Sequence, residues 1–155
     1  MPQEIERKFR IKVGAWPRPE SHQEISQGYL NSAKERIVRV RVTGKQAWLT
    51  IKGLTSGATR LEFEYEIPID EGRHMLNELC ERPILSKTRY RVPVGRHVWE
   101  IDEFSGANAG LVVAEIELAS EDEEFEMPDW VVEEVTDDPR YFNSNLLQHP
   151  FGDWE

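Results

Sequence analysis

Over most of its length this chain alternates charged residues with apolar ones, and it sorts the charges by sign. The pattern runs through EIERKF (4–9), RIVRVRV (36–42), WLTIK (48–52), RLEFEYE (60–66), KTRYR (87–91), VWEID (98–102) and AEIEL (114–118). A period of two is that of a strand, whose successive side chains point to opposite faces. Glu4, Glu6 and Lys8 therefore share a face, as do Arg39 and Arg41, Thr50 and Lys52, and Lys87, Arg89 and Arg91. Arg60, Glu62, Glu64 and Glu66 oppose Leu61, Phe63 and Tyr65, while Glu100 aligns with Asp102 and Glu115 with Glu117. An ordinary surface strand carries Ser, Thr and Gln as often as charge; these faces are nearly all charge.

Eight segments read as strands, at about 3–12, 26–32, 35–43, 46–53, 59–68, 84–93, 96–104 and 112–119. Thr43-Gly44-Lys45, LTSGAT (54–59) and Val94-Gly95-Arg96 are hairpin loops between them, and GANAG (106–110) is a longer loop. Short connections favour an antiparallel meander, and eight strands can close on themselves, which removes exposed edges. One helix is expected after Asp70 as N-cap, with Met75, Leu76, Leu79 and Cys80 as its apolar face and Pro83 closing it. A second is expected over 128–135, and a third from Asp138-Pro139 through Leu146 and Leu147. The acidic run EDEEFE (121–126) reads as a solvated loop.

A length of 155 residues favours one domain, residues 1–155. No run approaches a membrane span and MPQEIERKF has no apolar signal core, so a cytoplasmic protein is expected, with no membrane partner. Cys80 is the single cysteine, which excludes an internal disulfide, and the four histidines lack close metal-ligand spacing. A net charge of -10 argues against nucleic acid as a partner. An anionic ligand then requires positive charge gathered locally, or a metal. Trp16, Trp130 and Trp154 read as loop or helix packing rather than a base-stacking platform.

Two architectures fit the alternation. Charges face water around an apolar interior, or they line a barrel whose apolar outer faces lie beneath helices. The first is the usual meaning of alternation. Sign sorting favours the second. Glu4/Glu6, Glu62/Glu64 and Glu115/Glu117 each set like charges two apart on one strand, a repulsion that grows as water is excluded. A divalent cation relieves it, and all-oxygen ligands suit Mg²⁺ or Mn²⁺. Arg39, Arg41, Lys52, Lys87 and Arg89 can hold a chain of phosphates.

These residues resemble the signature of the CYTH superfamily, the triphosphate tunnel metalloenzymes. Its E-x-E-x-K pattern is met by Glu4, Glu6 and Lys8, followed in order by QGYL (27–30), RVR (39–41), TIKG (50–53), RLEFEYEI (60–67), KTRYR, WEIDEF (99–104) and AEIEL. The tail DDPRYFNSNL (137–146) resembles the small bacterial members. The resemblance implies an α+β fold, an eight-stranded antiparallel closed barrel forming a tunnel with charged walls and a few helices outside. It implies metal-dependent hydrolysis of a triphosphate compound, as in inorganic tripolyphosphatases. Class IV adenylate cyclases, thiamine triphosphatases and a non-catalytic polyphosphate- or nucleotide-binding module are the alternatives. Glu4, Glu6, Glu115 and Glu117 are the expected metal ligands, with Glu62, Glu64 and Asp102 as further ligands or water-positioning groups. Lys8, Arg39, Arg41, Lys52, Arg60, Lys87 and Arg89 are expected on the phosphates. Arg91 is set aside as lying farther along its strand, and Glu66 and Glu100 as strand-end or solvent charges. Lys8 and Tyr29 are the expected catalytic pair, activating or orienting the attacking water. The sequence leaves a homodimer open.

Overall fold

The structure, a computed structural model, describes residues 2–154. Its strands are β1 (Gln3–Ile11), β2 (Gln23–Asn31), β3 (Arg36–Val42), β4 (Ala47–Gly53), β5 (Thr59–Ile67), β6 (Leu85–Val94), β7 (His97–Phe104), β8 (Val112–Glu117) and β9 (Val131–Glu134). The sheet runs β5-β4-β3-β2-β6-β7-β8-β1, and β1 pairs back onto β5, so eight antiparallel strands form a ring. Closure rests on a short register, Gln3–Ile5 against Thr59–Leu61. The rest of that β1 edge, Phe9–Ile11, is covered by β9.

β9 stands where a helix over 128–135 was expected. Val131 and Val132 are β-branched, and the far half of β1 lies beyond the reach of β5, so its edge recruits them as a strand. Pro128 begins a turn instead, with the Val131 amide donating to its carbonyl. The tail helix is also broken in two. Pro139–Tyr141 is a 3-10 turn capped by Asp138, which accepts from the Arg140 amide, and α2 (Asn143–Gln148) follows.

α1 (Ile69–Glu78) is capped at Pro68, which places Asp70 in its first turn rather than at the cap. It lies on the outer face of the ring, packing Leu76, together with Cys80 just past its end, on Val40, Val42 and Ala47. Leu79, expected on that face, is 66% exposed, because the helix has already ended. Gly72 permits the close approach: a β-carbon there would overlap Ala47 Cβ. Gly72→Ala is therefore expected to lower the unfolding free energy by about 1–3 kcal/mol, read from urea melts, while turnover stays unchanged because α1 is outside the ring. An unshifted urea midpoint would contradict this packing.

The rest of the outer face, which was expected to lie beneath helices, is covered by loops instead. Phe9 packs on Trp99 with ring centroids 5.3 Å apart, Trp130 meets Trp99 edge-on at 5.5 Å, and Phe125 closes over both Phe9 and Trp99. Phe125 belongs to the acidic run, which is a pinned strap rather than a free loop. Glu121 accepts from the Ala58 amide and the Thr59 hydroxyl, and Glu123 contacts His97 at 2.6 Å. No helix among the described residues is long and apolar enough to cross a membrane.

One end of the ring interior is apolar. Tyr29, Ile37, Leu85, Phe104 and Val113 share their strand faces with Gln27, Arg39, Lys87, Asp102 and Glu115, so they point inward. They pack against Val135, Tyr141, Leu146 and Leu147 of the C-terminal segment, which fills that end. The charged interior is thus shorter than the barrel.

Candidate active site

The ring encloses a cavity of about 690 Å³. Of the predicted site residues, all but Lys87 and Asp102 reach its wall. Gln23, Gln46 and Arg91 mark one rim, and Lys34, Leu54 and Asn145 the other.

The carboxyls on the β1 side stand in pairs. Glu6 stands beside Glu115, and Glu4 beside Glu62. Burial, then the charges of Glu115 and Glu4, push the Glu6 carboxyl well above its ordinary range. Burial works the same way on Glu115, but Lys8, the adjacent Glu6 carboxyl and Arg89 outweigh it and hold it well below that range. At Glu4 burial is again opposed, by Lys52 and Arg60, and its pKa falls to about 2. Lys52 Nζ lies 3.2 Å from both Glu4 and Glu62, and Arg60 Nε 3.2 Å from Glu4. Glu117 is pushed up by burial, Glu4 and Glu100. Among the described residues, no three His, Cys, Asp or Glu side chains converge as a metal cluster. Paired all-oxygen donors of like charge, buried at Glu4 and Glu115 and half-buried at Glu6 and Glu62, nevertheless fit a hard divalent cation, which relieves their repulsion.

The opposite wall is cationic. Arg41 is driven down to about 9 by burial and by the neighbouring charges of Arg39 and Arg89. Burial and Arg39 likewise lower Lys52. Arg39 donates to Thr50 Oγ1 at 3.3 Å and Glu64 at 3.5 Å, yet its buried Nε has no partner among the described residues. Crowded guanidiniums with an unspent buried donor are complementary to a polyanion.

Lys87 and Asp102 lie behind this wall. Both Asp102 oxygens are taken, by Arg89 Nε at 2.8 Å, Arg89 NH2 at 2.9 Å and Lys87 Nζ at 2.8 Å. Lys87 also donates to Asn143 Oδ1 at 3.3 Å, and burial, against the pull of Asp102, brings its pKa to about 7. The pair sets Arg89 rather than facing the cavity. Lys8 Nζ donates 3.0 Å to the Tyr141 carbonyl of the C-terminal segment. The Tyr29 hydroxyl meets Gln27 Nε2 at 3.4 Å, and no hydrogen bond joins Lys8 to Tyr29 among the described residues.

Arg91 and Glu100 both line the cavity, 3.4 Å apart. Arg91 is exposed there, at the rim, as its position farther along the strand implied, and Glu100 beside it is partly exposed. Glu66 does sit at a strand end, exposed, accepting from Gln46. Sequence reasoning missed Gln27, Thr50 and Asn143, because neutral side chains carry no charge pattern, although Gln27 and Thr50 share parity with Tyr29 and Lys52.

Comparison with known proteins identifies the family. A CYTH domain model matches residues 2–146. An inorganic triphosphatase of Acetivibrio thermocellus is 46% identical over 151 residues, covering 97% of this chain and 97% of that protein. An inorganic triphosphatase of Nitrosomonas europaea is 38% identical over 149 residues, covering 92% and 95%. A crystal structure of an inorganic triphosphatase matches with a TM-score of 0.65 at 32% identity over 93% of each chain. A Hippeastrum protein described as having a dominant triphosphatase activity shares the fold, with a TM-score of 0.58 at 15% identity over 76% of this chain and 80% of its own. With a family model spanning nearly its whole length, the chain belongs to the CYTH family.

Proposed function

We propose that this protein is an Mg²⁺- or Mn²⁺-dependent hydrolase that cleaves inorganic tripolyphosphate to pyrophosphate and phosphate, acting in the cytoplasm. The observation that carries this reading is the division of one cavity into a wall of crowded cations and a wall of paired carboxyls. A linear polyphosphate answers the first and a divalent cation the second. Both relatives above 35% identity bear the name inorganic triphosphatase, which supports the same substrate.

Glu4, Glu6, Glu62, Glu115 and Glu117 are the residues that would hold the metal, with Glu64 beside them. When bound, the metal supplies Lewis-acid polarisation of phosphoryl oxygens and a more acidic water. Arg39, Arg41, Lys52, Arg60 and Arg89 clamp the phosphate chain and stabilise the charge that develops as it breaks. Lys8 places a point charge at the inner end, next to the apolar plug. Water attacks a terminal phosphorus, its oxygen forming the new P–O bond as the bridging P–O bond breaks and pyrophosphate leaves. Lys87 and Asp102 keep Arg89 aimed.

The test is a substrate panel with Mg²⁺ and with Mn²⁺, scored for phosphate, pyrophosphate and cyclic nucleotide. Tripolyphosphate is expected to be turned over fastest, with no cyclic AMP formed from ATP. Cyclic AMP formation, or faster release from thiamine triphosphate, would replace this reading by a sister activity. Tight tripolyphosphate binding without turnover under either metal would make the protein a binding module.

A further inference from the structure

We propose that Gln27 is a positioning residue that fixes the polarity of the Tyr29 hydroxyl, so that Tyr29 donates a hydrogen bond to a phosphoryl oxygen of the substrate. The inference rests on the triphosphatase reading above. Gln27 is fully buried on β2, behind the cavity wall. Its Oε1 accepts from Arg41 Nε at 2.9 Å, and its Nε2 faces the Tyr29 hydroxyl at 3.4 Å.

Arginine can only donate, so the group facing Arg41 must be the amide oxygen. That contact decides an orientation that a side-chain amide otherwise leaves ambiguous. The amide nitrogen then points at Tyr29 and can only donate to it. The hydroxyl oxygen is thereby an acceptor, and its own proton is directed elsewhere. Among the described residues the Tyr29 hydroxyl donates no hydrogen bond. Tyr29 lines the cavity, and its cross-strand partner on β3 is Arg39. The hydroxyl is thus an unspent donor in a wall that also carries cations. A phosphoryl oxygen, which only accepts, satisfies it. Polarity runs one way, from Arg41 through Gln27 to Tyr29 to phosphate. In this chain of donors Tyr29 is a donor to developing charge, not a base toward water.

The test is a double-mutant cycle on tripolyphosphate hydrolysis. Tyr29→Phe removes the donor, and kcat is expected to fall roughly 10- to 100-fold. Gln27→Met leaves the hydroxyl free to turn, and kcat is expected to fall about 10-fold while KM moves less than about threefold, since the Arg41 charge remains. The double variant is expected to match Tyr29→Phe within about twofold, because the two residues act through one hydrogen bond. Gln27→Glu keeps the acceptor for Arg41 but turns the hydroxyl proton inward, so kcat should drop to the Tyr29→Phe level. This variant also covers the case in which methionine unsettles the core. Multiplicative losses in the double variant would overturn the proposal, as would wild-type kcat in Tyr29→Phe or in both Gln27 variants. A wild-type protein inert toward tripolyphosphate would instead overturn the triphosphatase reading, so the two failures are distinct.

Discussion

Glu6→Gln is expected to lower metal-dependent phosphate release at least about 100-fold and, in the same variant, to raise the melting temperature measured in EDTA. The two effects have one cause. Glu6 and Glu115 sit together in a desolvated wall, and burial plus the charges of Glu115 and Glu4 hold Glu6 well above its ordinary pKa. For an acid, a folded-state pKa above the unfolded value means that stability is lost as pH rises through the folded value. A glutamine is neutral at every pH, so it removes the repulsion with Glu115 and Glu4 without titrating. A gain of about 1 kcal/mol corresponds to roughly 2–4 °C for a chain of this size. The wild-type pH–stability curve should slope downward above the ordinary carboxylate range, and the variant should flatten it. Metal reverses the order. Saturating Mn²⁺ stabilises wild type by RT ln(1 + [M]/Kd), and the variant, with one ligand fewer, forfeits most of that gain. Thermal melts with EDTA and with Mn²⁺, beside phosphate release, measure all of this. Near-wild-type turnover would remove Glu6 from the metal site.

The sequence carried the site in its strand parity. Every strand charge that lines the cavity lies on the face assigned to it by alternation, from Glu4 and Glu6 on β1 to Glu115 and Glu117 on β8, while Lys34 and Asp137 reach it from loops. Parity reports a face but not a depth along the strand. Arg91 and Glu100 share the cavity's parity but sit at its rim, while Lys87 and Asp102 have the right parity and lie behind the wall. The limit of the tunnel was also written in the sequence, as apolar residues that continue the charged faces: Ile37 before Arg39, Leu85 before Lys87, Phe104 after Asp102, Val113 before Glu115. Their meaning depends on what enters from the C-terminal segment, and a contact with Leu146 or Tyr141 more than 25 residues away leaves no local trace. β9 failed for a related reason. Its four residues follow a proline and lack a clear period, and only the open edge of β1 makes them a strand. Gln27 illustrates a third limit. A neutral amide has no signature of its own, and its importance comes entirely from the two groups on either side of it.

Asp102→Asn should separate structural from metal-binding carboxylates, with a loss of roughly 3 kcal/mol or more in unfolding free energy measured in EDTA. Asp102 is completely buried, accepts two charged hydrogen bonds from Arg89 and makes an ion pair with Lys87 at 2.8 Å. Burial pushes its carboxyl up, but Arg89 and Lys87 prevail and hold it below its ordinary value. An asparagine keeps one acceptor and turns a donor toward two cations. Arg89 retains Glu100 at 3.3 Å and Glu115 at 3.6 Å, so it stays charged but loses its bidentate seat. Lys87, already brought to about 7, loses the carboxylate that keeps it protonated and sheds its proton, which caps the cost. A carboxyl with a depressed folded pKa contributes stability above its unfolded value and loses it as pH falls through the folded one. The gap between wild type and Asp102→Asn should therefore be full at neutral pH and close below about pH 3.9, the ordinary value for aspartate. Urea melts across pH, all in EDTA, measure it. A metal ligand whose carboxyl is raised, as Glu6 is, would behave oppositely: its amide would be neutral or stabilising without metal, and its penalty would emerge only in metal affinity. An Asp102→Asn variant within about 1 kcal/mol of wild type in EDTA, yet blind to Mn²⁺, would move Asp102 from the arginine clamp to the metal site.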